Sequence, residues 1–496
     1  MSNIRVTYTG LIAFIFAIIT IFTSMIFNLI LTRTLSIDDY GTWGLISGFL
    51  TYAVVIEPII GYWSAREIAR KIESGKTAVI SSGLLSSGGM LIFIICAFFI
   101  GNEIEINIEI LFFAIILIPP RFINGTLAAI NQGWKPHTIS YGITSNGITQ
   151  IPIALLLVYY FEMGVQGVII SVFAGLIVSN IVLGWFAKER ISREFKIKYL
   201  VKWLKMVWLP SYFAIPAIIY RFDVLVFTVI SGSVIGLAYW TAALAISTII
   251  SHSGLIARAI YPKMLQGQGD NLLQNNFTLF FYFSIPLTGL IIAFARPAVY
   301  TLNPEYSDSF IILIYLSLQV FFTTLGGVIE QTLLGKDEVD INEKSSMKDY
   351  IKSRLFQMPT LEMFQHTIYL ILLIVGLLIL VSSESSLQLV IFWTMLSMSI
   401  RIPFTLYRYR ILRRSVSFKF EKNSVLKYLL SGVVVFSVFF IIQDSYLTYN
   451  SNLIEFLPNF LFFIIMSIMS YLIITYIIDG KTRILTKSII KELKNN

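Results

Sequence analysis

Charge is scarce in this sequence. Asp, Glu, Lys and Arg make up 13% of its 496 residues, about half the share found in water-soluble domains. Hydrophobic residues make up 56% and the mean hydropathy is +0.78, so the apolar excess has to face lipid. Cysteine is nearly missing as well. Cys96 stands alone within an apolar run, which excludes a disulfide framework and reads as a small buried or lipid-facing hydrophobe. The three histidines, His137, His252 and His366, lack ligand spacing, so no metal site is expected. There is no Gly-x-x-x-x-Gly-Lys-Ser/Thr segment to cradle a nucleotide. Long polar gaps are also absent. The longest, from Gly335 to Glu362, is shorter than the roughly 50 residues of a folded domain. Together these absences argue against an enzyme with a separate catalytic module; no catalytic residue and no cofactor is expected.

What is present is a succession of apolar runs, each long enough to cross about 30 Å of hydrocarbon, where helices satisfy their own backbone hydrogen bonds. They predict an all-α membrane protein with about fourteen transmembrane helices, from Gly10–Leu31 to Ile454–Ile478. The run after Arg5 has no small-residue cleavage site and is expected to be a retained span. The net charge of +9 does not signal nucleic acid, because Lys and Arg fall in alternate loops, such as Trp63–Lys76, Lys188–Lys205 and Arg408–Lys422. That is the positive-inside pattern, and it places both termini on the cytoplasmic side of a multi-pass cell-membrane protein. Arg33 and Arg296 break the pattern and so have a claim to another role.

Residues 188–205 mix Ile191, Phe195, Leu200, Trp203 and Leu204 with Lys and Arg, the pattern of an amphipathic linker on the cytoplasmic surface. After it the chain restarts an earlier theme. Tyr40-Gly41-Thr42-Trp43-Gly44 is answered by Gly236-Leu237-Ala238-Tyr239-Trp240-Thr241, and Arg66-Glu67-Ile68-Ala69-Arg70 by Arg258-Ala259-Ile260-Tyr261-Pro262-Lys263. Six spans precede the linker, so the repeats are expected to be parallel, two six-helix lobes related by a pseudo-two-fold along the membrane normal. The expected division is an N-lobe over 1–187, the linker over 188–205, a C-lobe over 206–408, and two extra helices with a basic tail over 409–496.

Ionisable residues inside apolar runs are costly and usually face a bundle interior or a wet lumen. Glu57 precedes Pro58, Arg121 follows Pro119-Pro120, and Arg221 and Asp223 share a run with Pro210 and Pro216; Glu330 and Arg401 lie further on. Proline at such points frees backbone groups that protein or water must satisfy. Structural ion pairs or snorkelling side chains are the simpler alternative for each. An arginine-lined lumen suits phosphate or pyrophosphate, because guanidinium stays charged and offers forked donors.

The stretch Leu31-Thr32-Arg33-Thr34-Leu35-Ser36-Ile37-Asp38-Asp39-Tyr40-Gly41-Thr42-Trp43 resembles the first two helices of the O-antigen type polysaccharide flippases, within the multidrug/oligosaccharidyl-lipid/polysaccharide exporter superfamily. Gly61 with Arg66-Glu67-Ile68-Ala69-Arg70, then Pro210, Asp223, Gly236 and Tyr239, Tyr261-Pro262-Lys263 and Gly335-Lys336 follow in that family's order. The resemblance covers roughly Gly10 to Lys336; the charged segment from Lys336 to Glu362 departs from it. It implies a flippase moving a polyprenyl- or dolichyl-linked oligosaccharide by alternating access. The headgroup would be held by Arg33, Arg66, Arg121, Arg221 and Arg258, with coupling or gating at Glu57, Asp223 and Glu330. Implied partners are the lipid-linked sugar, membrane lipids and glycan-assembly enzymes, around a monomer.

Two other functions fit the residues. A cation-coupled multidrug exporter would rely on Glu57, Asp223 and Glu330 rather than the arginines. A membrane-embedded glycosyltransferase or polymerase could use Asp38-Asp39 for a metal, although negative charge at the start of the second span explains that pair more simply.

Overall fold

The computed structural model describes residues 6–101, 107–205, 207–254, 270–334, 339, 347–415 and 421–484. Regular structure among the described residues is helical throughout. In chain order the helices are α1 (Val6–Thr34), α2 (Ile37–Ala53), α3 (Pro58–Ala69), α4 (Gly75–Gly101), α5 (Ile108–Phe113), α6 (Ile118–Trp134), α7 (Thr138–Ala154), α8 (Gly164–Ile191), α9 (Ile197–Lys205), α10 (Trp208–Ser231) and α11 (Ile235–Ser247). They are followed by α12 (Asp270–Ala293), α13 (Ala295–Leu302), α14 (Phe310–Leu334), α15 (Met347–Lys352), α16 (Arg354–Leu380), α17 (Ser386–Ser415), α18 (Lys422–Tyr446) and α19 (Leu453–Ile478). Among the described residues, eleven helices are long and apolar enough to cross a membrane, or up to thirteen if two bent pairs are each counted as one span. The described apolar part of α1, Ile19–Thr34, is shorter than a full span, so the count stands below the fourteen expected.

One expected span is broken rather than straight, and a second bends where its expected run ends. Ile37–Ile56 and Pro58–Ala69 meet at 53°, and Phe277–Ala293 and Ala295–Leu302 at 72°. Proline lacks an amide donor and crowds the preceding turn, and the chain tightens to 3-10 geometry at Val54–Ile56 before Pro58 and at Ala114–Leu117 before Pro119. A further 3-10 segment, Thr248–His252, follows α11. Leu155–Tyr160, just beyond Pro152, is a π-helix.

The chain forms two compact units: residues 1–241 with 358–393, and residues 242–357 with 394–496. Within unit 1, α2 lies close against α10 and α11 because three glycines face them. A β-carbon at Gly41 would collide with the Val234 carbonyl; one at Gly44 would stand 2.6 Å from Thr241 Oγ1, and one at Gly48 3.1 Å from Val224 Cγ1. Small residues at this spacing let helix backbones approach in lipid, where no hydrophobic force drives association. The Tyr52 hydroxyl then donates to the Arg221 carbonyl across the same seam. Ser36 caps α2 by accepting from the Asp39 amide at 3.1 Å, with Asp38 and Asp39 in the first turn. Those carboxylates therefore complement the helix dipole.

Within unit 2, α12, α18 and α19 are joined by rings. Tyr282 meets Tyr428 at 5.1 Å between centroids, and Phe436 stacks on Tyr471 at 6.0 Å. Phe294, Phe456 and Phe460 continue the cluster. Asp479, just past α19, ties the start of α18 to this bundle. It accepts from Ser424 Oγ at 3.1 Å, Tyr428 Oη at 2.9 Å and the Thr482 amide at 3.0 Å. Burial pushes its carboxyl up, but these hydrogen bonds outweigh it and hold the group below the usual carboxylate range.

Candidate functional site

The proline-induced breaks decide where charge sits in unit 1. Glu57 stands at the 53° bend, where the missing Pro58 amide and the tightened turn before it turn the side chain towards α6. Two glycines make room for it: a β-carbon at Gly61 would lie 3.2 Å from Glu57 Oε1, and one at Gly125 2.5 Å from both that oxygen and the carboxyl carbon. The slot is close, and Glu57 Oε1 is buried beside the Thr126 hydroxyl, which meets it only in poor hydrogen-bond geometry. Leaving such a group unsatisfied costs about 1–3 kcal/mol, and more if it is charged. An arrangement of this kind survives where a proton or a change of helix angle relieves it.

Arg121 lies one helical turn before Gly125 on α6, directly after Pro119-Pro120. Protein surrounds it deeply, while part of its surface stays accessible. Among the described residues, no acceptor or carboxylate meets its guanidinium. Neutral amides gather around the same turns. Asn124 Nδ2 donates to Ser179 Oγ at 2.8 Å and to Asn180 Oδ1 at 2.9 Å, and Asn180 Nδ2 returns to the Pro120 carbonyl at 2.9 Å. That last bond steadies the backbone from which Arg121 projects. On α7, Gln150 donates to Asn146 at 2.9 Å, both half-buried. This collection offers one permanent cation beside several amides, a combination suited to an anionic group that also carries hydroxyls.

Asp223 is placed differently. It is fully buried, and its Oδ2 receives Tyr369 Oη at 2.9 Å and Trp393 Nε1 at 3.2 Å, while Oδ1 receives the Val224 amide at 2.8 Å. Trp393 Nε1 also lies 2.6 Å from Tyr369 Oη. The Trp393 ring is stacked between Phe227 at 4.8 Å and Trp240 at 5.0 Å. A carboxylate ringed by donors in this way joins Asp223 of α10 to Tyr369 and Trp393, all in unit 1, and a cation would meet the hydrogens of those donors.

The remaining sequence-derived candidates are scattered. Arg33 ends α1 half-buried and has contacts of its own. Arg66 lies over the Tyr62 ring at 4.5 Å. Arg221, half-buried, is 6.0 Å from the Tyr220 ring centroid and is drawn electrostatically towards Asp223. Glu330 is in unit 2, half-buried on α14. Arg401 and Arg408 of α17 are buried there too. Arg258, Tyr261-Pro262-Lys263 and Gly335-Lys336 lie outside the described residues. Unit 1 therefore brings Glu57 and Arg121 onto neighbouring turns and sets Asp223 apart in a sealed network. Asn124, Asn180, Tyr369 and Trp393 were not singled out from sequence. The first two could have been noticed as amides inside apolar runs; the last two join Asp223 from about 150 residues away and leave no local signal.

No family model matches the sequence, and no curated protein matches it. Solved structures do match in fold. The lipid II flippase MurJ in an inward closed conformation aligns with a TM-score of 0.64 at 15% identity, covering 95% of this chain and 98% of that one. An inward-facing multidrug resistance MATE family transporter of the MOP superfamily aligns at 0.56 and 12% identity, over 82% and 98%. A MOP superfamily transporter from Pyrococcus furiosus, described by the reverse polarity of its binding pocket, aligns at 0.56 and 11% identity, over 82% and 95%. The chain is thus a multi-pass helical membrane protein with the fold shared by MurJ and the MATE transporters.

Proposed function

We propose that this protein is a flippase that moves a polyprenyl- or dolichyl-linked oligosaccharide across the cell membrane by alternating access between lobes spanning 1–187 and 206–408, with both termini cytoplasmic. Arg121 carries the reading. A guanidinium deep in unit 1 with no internal counter-charge among the described residues is a costly feature unless an anion visits it. A phosphate or pyrophosphate link satisfies it, and Asn124 and Asn180, bonded to each other and to the Pro120 carbonyl, offer amides to the sugar hydroxyls. The likeness to the lipid II flippase, which covers nearly the whole of both chains, is in keeping with a lipid-linked substrate.

Arg33, Arg66, Arg221 and Arg258 are proposed to extend the cationic path, Glu57 to couple headgroup binding to the bend at Pro58, and Asp223 and Glu330 to act in gating. In proteoliposomes loaded with a fluorescent lipid-linked oligosaccharide, the wild type is expected to expose the label to an external quencher. Arg121→Ala is expected to slow this about 10²-fold while retaining the wild-type melting profile. Undiminished flipping by that variant would overturn the proposal.

Glu57 favours a second reading, cation-coupled export, because its buried carboxyl meets the Thr126 hydroxyl only poorly and could take a proton. Efflux of a cationic dye that is lost in Glu57→Gln but kept in Arg121→Ala would select that reading instead.

A further inference from the structure

Helix α9 has three faces, and only one of them is occupied by protein. Trp203 is fully buried against Ile59, Ile60, Ile68, Leu127 and Leu183, with Tyr199 and Leu200 packed beside it. Ile197, Val201 and Leu204 follow an i, i+4, i+7 spacing, which puts them on one stripe; all three are exposed. Lys198, Lys202 and Lys205 follow the same spacing one residue on and are exposed as well. An apolar stripe with a lysine stripe alongside it is the arrangement of a helix lying at a membrane surface.

The neighbouring end of α8 is built in the same manner. Lys188 lies over the exposed Trp185 ring at 4.5 Å, and Arg190 over Trp134 at 3.8 Å. Arg193 pairs with Glu73 at 3.1 Å, and the Lys196 amide donates to Thr77 Oγ1 at 2.9 Å. These contacts fix α9 firmly to α4 and its surroundings. No carboxylate meets Lys198 or Lys205 among the described residues.

The exception among the three lysines ties α9 to the bend in the second span. Lys202 Nζ is 3.1 Å from Glu67 Oε1, and Glu67 is a buried carboxylate on α3, the segment beyond the Glu57–Pro58 break. The Trp203 cluster also includes Ile59, Ile60 and Ile68 of α3. Whatever draws on the lysine stripe therefore acts on α3.

We propose that Lys198, Lys202 and Lys205 form a binding surface for acidic phospholipid headgroups, and that its occupancy steadies α3 beyond its hinge. The apolar stripe sits among acyl chains while the lysines meet the phosphates above it. Each lysine near an anionic surface adds about fivefold to the binding, and the effect weakens as salt rises. The surface is independent of any transported headgroup, so its test needs no substrate.

The experiment places the full-length protein in nanodiscs of phosphatidylcholine mixed with phosphatidylglycerol, and reads the lipid retained on the protein together with amide exchange over Arg66–Lys71. The wild type should retain phosphatidylglycerol preferentially. Lys198→Gln and Lys205→Gln should each lower that preference about fivefold at low salt, and exchange at Arg66–Lys71 should be slower in the acidic discs for the wild type alone. Both substitutions are on exposed side chains and leave packing intact. An unchanged lipid preference in the double variant overturns the binding surface. Exchange that ignores lipid charge overturns its link to α3.

Discussion

Within unit 1, the bend before α3 carries Glu57, and α6, α7 and α8 carry Arg121, Asn124, Asn146, Gln150 and Asn180, whereas α12, α18 and α19 of unit 2 are held by Tyr282, Tyr428, Phe436 and Tyr471. The second arrangement fills space with rings and satisfies the buried Asp479 carboxylate with Ser424, Tyr428 and Thr482, and Lys427 beside them. The first meets Glu57 only poorly, through Thr126, and, among the described residues, leaves Arg121 without an acceptor. Close packing and saturated hydrogen bonds serve stability, and an unsaturated pair of charged groups detracts from it. On the proposed function, binding and motion belong to the α3–α6 region and cohesion to the aromatic region.

The strongest way to break the contrast is to remove the unsatisfied cation. Arg121→Ala should cut headgroup transport by about 10²-fold, the equivalent of one charge-assisted pair of hydrogen bonds. Arg121→Lys, which keeps the charge but loses the fork, should retain about a tenth of the activity. Initial rates in proteoliposomes, normalised to folded protein, measure both.

Next in size is the glycine slot. Gly125→Ala would set a methyl group 2.5 Å from the Glu57 carboxyl, and transport should slow about tenfold as the bend at Pro58 is pushed away from its resting angle. Gly184→Ala on α8, where nothing lies within 4 Å of the added carbon, should transport at the wild-type rate. Equal rates in the two variants would remove the slot from the mechanism.

The aromatic region should respond in melting temperature rather than in rate. Gly289→Ala drives a methyl group into the Phe436 ring, and overpacking of that kind costs about 1–3 kcal/mol. A lower thermal midpoint with unchanged transport per folded molecule is the expected result. If transport falls as far as it does in Gly125→Ala, the two regions are not divided by role.

The smallest effect belongs to Asp479→Asn, about 1 kcal/mol. Because the folded-state carboxyl is held below its ordinary value, its contribution is present above about pH 4 and fades as the pH falls further. Melting curves of the wild type and of the Asp479→Asn variant should therefore differ at neutral pH and converge in acid.

The helical membrane architecture could be read from the sequence because apolar runs of sufficient length have no other structure open to them in lipid. Breaks were partly visible. Pro58 announced the 53° bend, and the 72° turn after Ala293 falls where the expected apolar run ends, just before Arg296-Pro297. The span expected from Met363 begins at Arg354, because Pro359 is accommodated inside the helix instead of ending it. Glu57, Arg121 and Asp223 were all noticed as charges among oily neighbours, yet the sequence could not separate them. Whether a carboxylate is met only poorly, or fully by Tyr369 and Trp393, depends on pairings between distant segments, and no local pattern encodes those.

The near-parallel stack of Trp240 and Trp393, 5.0 Å apart with planes 10° from each other, gives unit 1 an optical reporter. Indoles this close share excitation, and both are buried, so their emission comes from a dry setting. If α11 slides against α17 during a working cycle, the near-ultraviolet circular dichroism should change and the emission should shift to the red, without any label being attached.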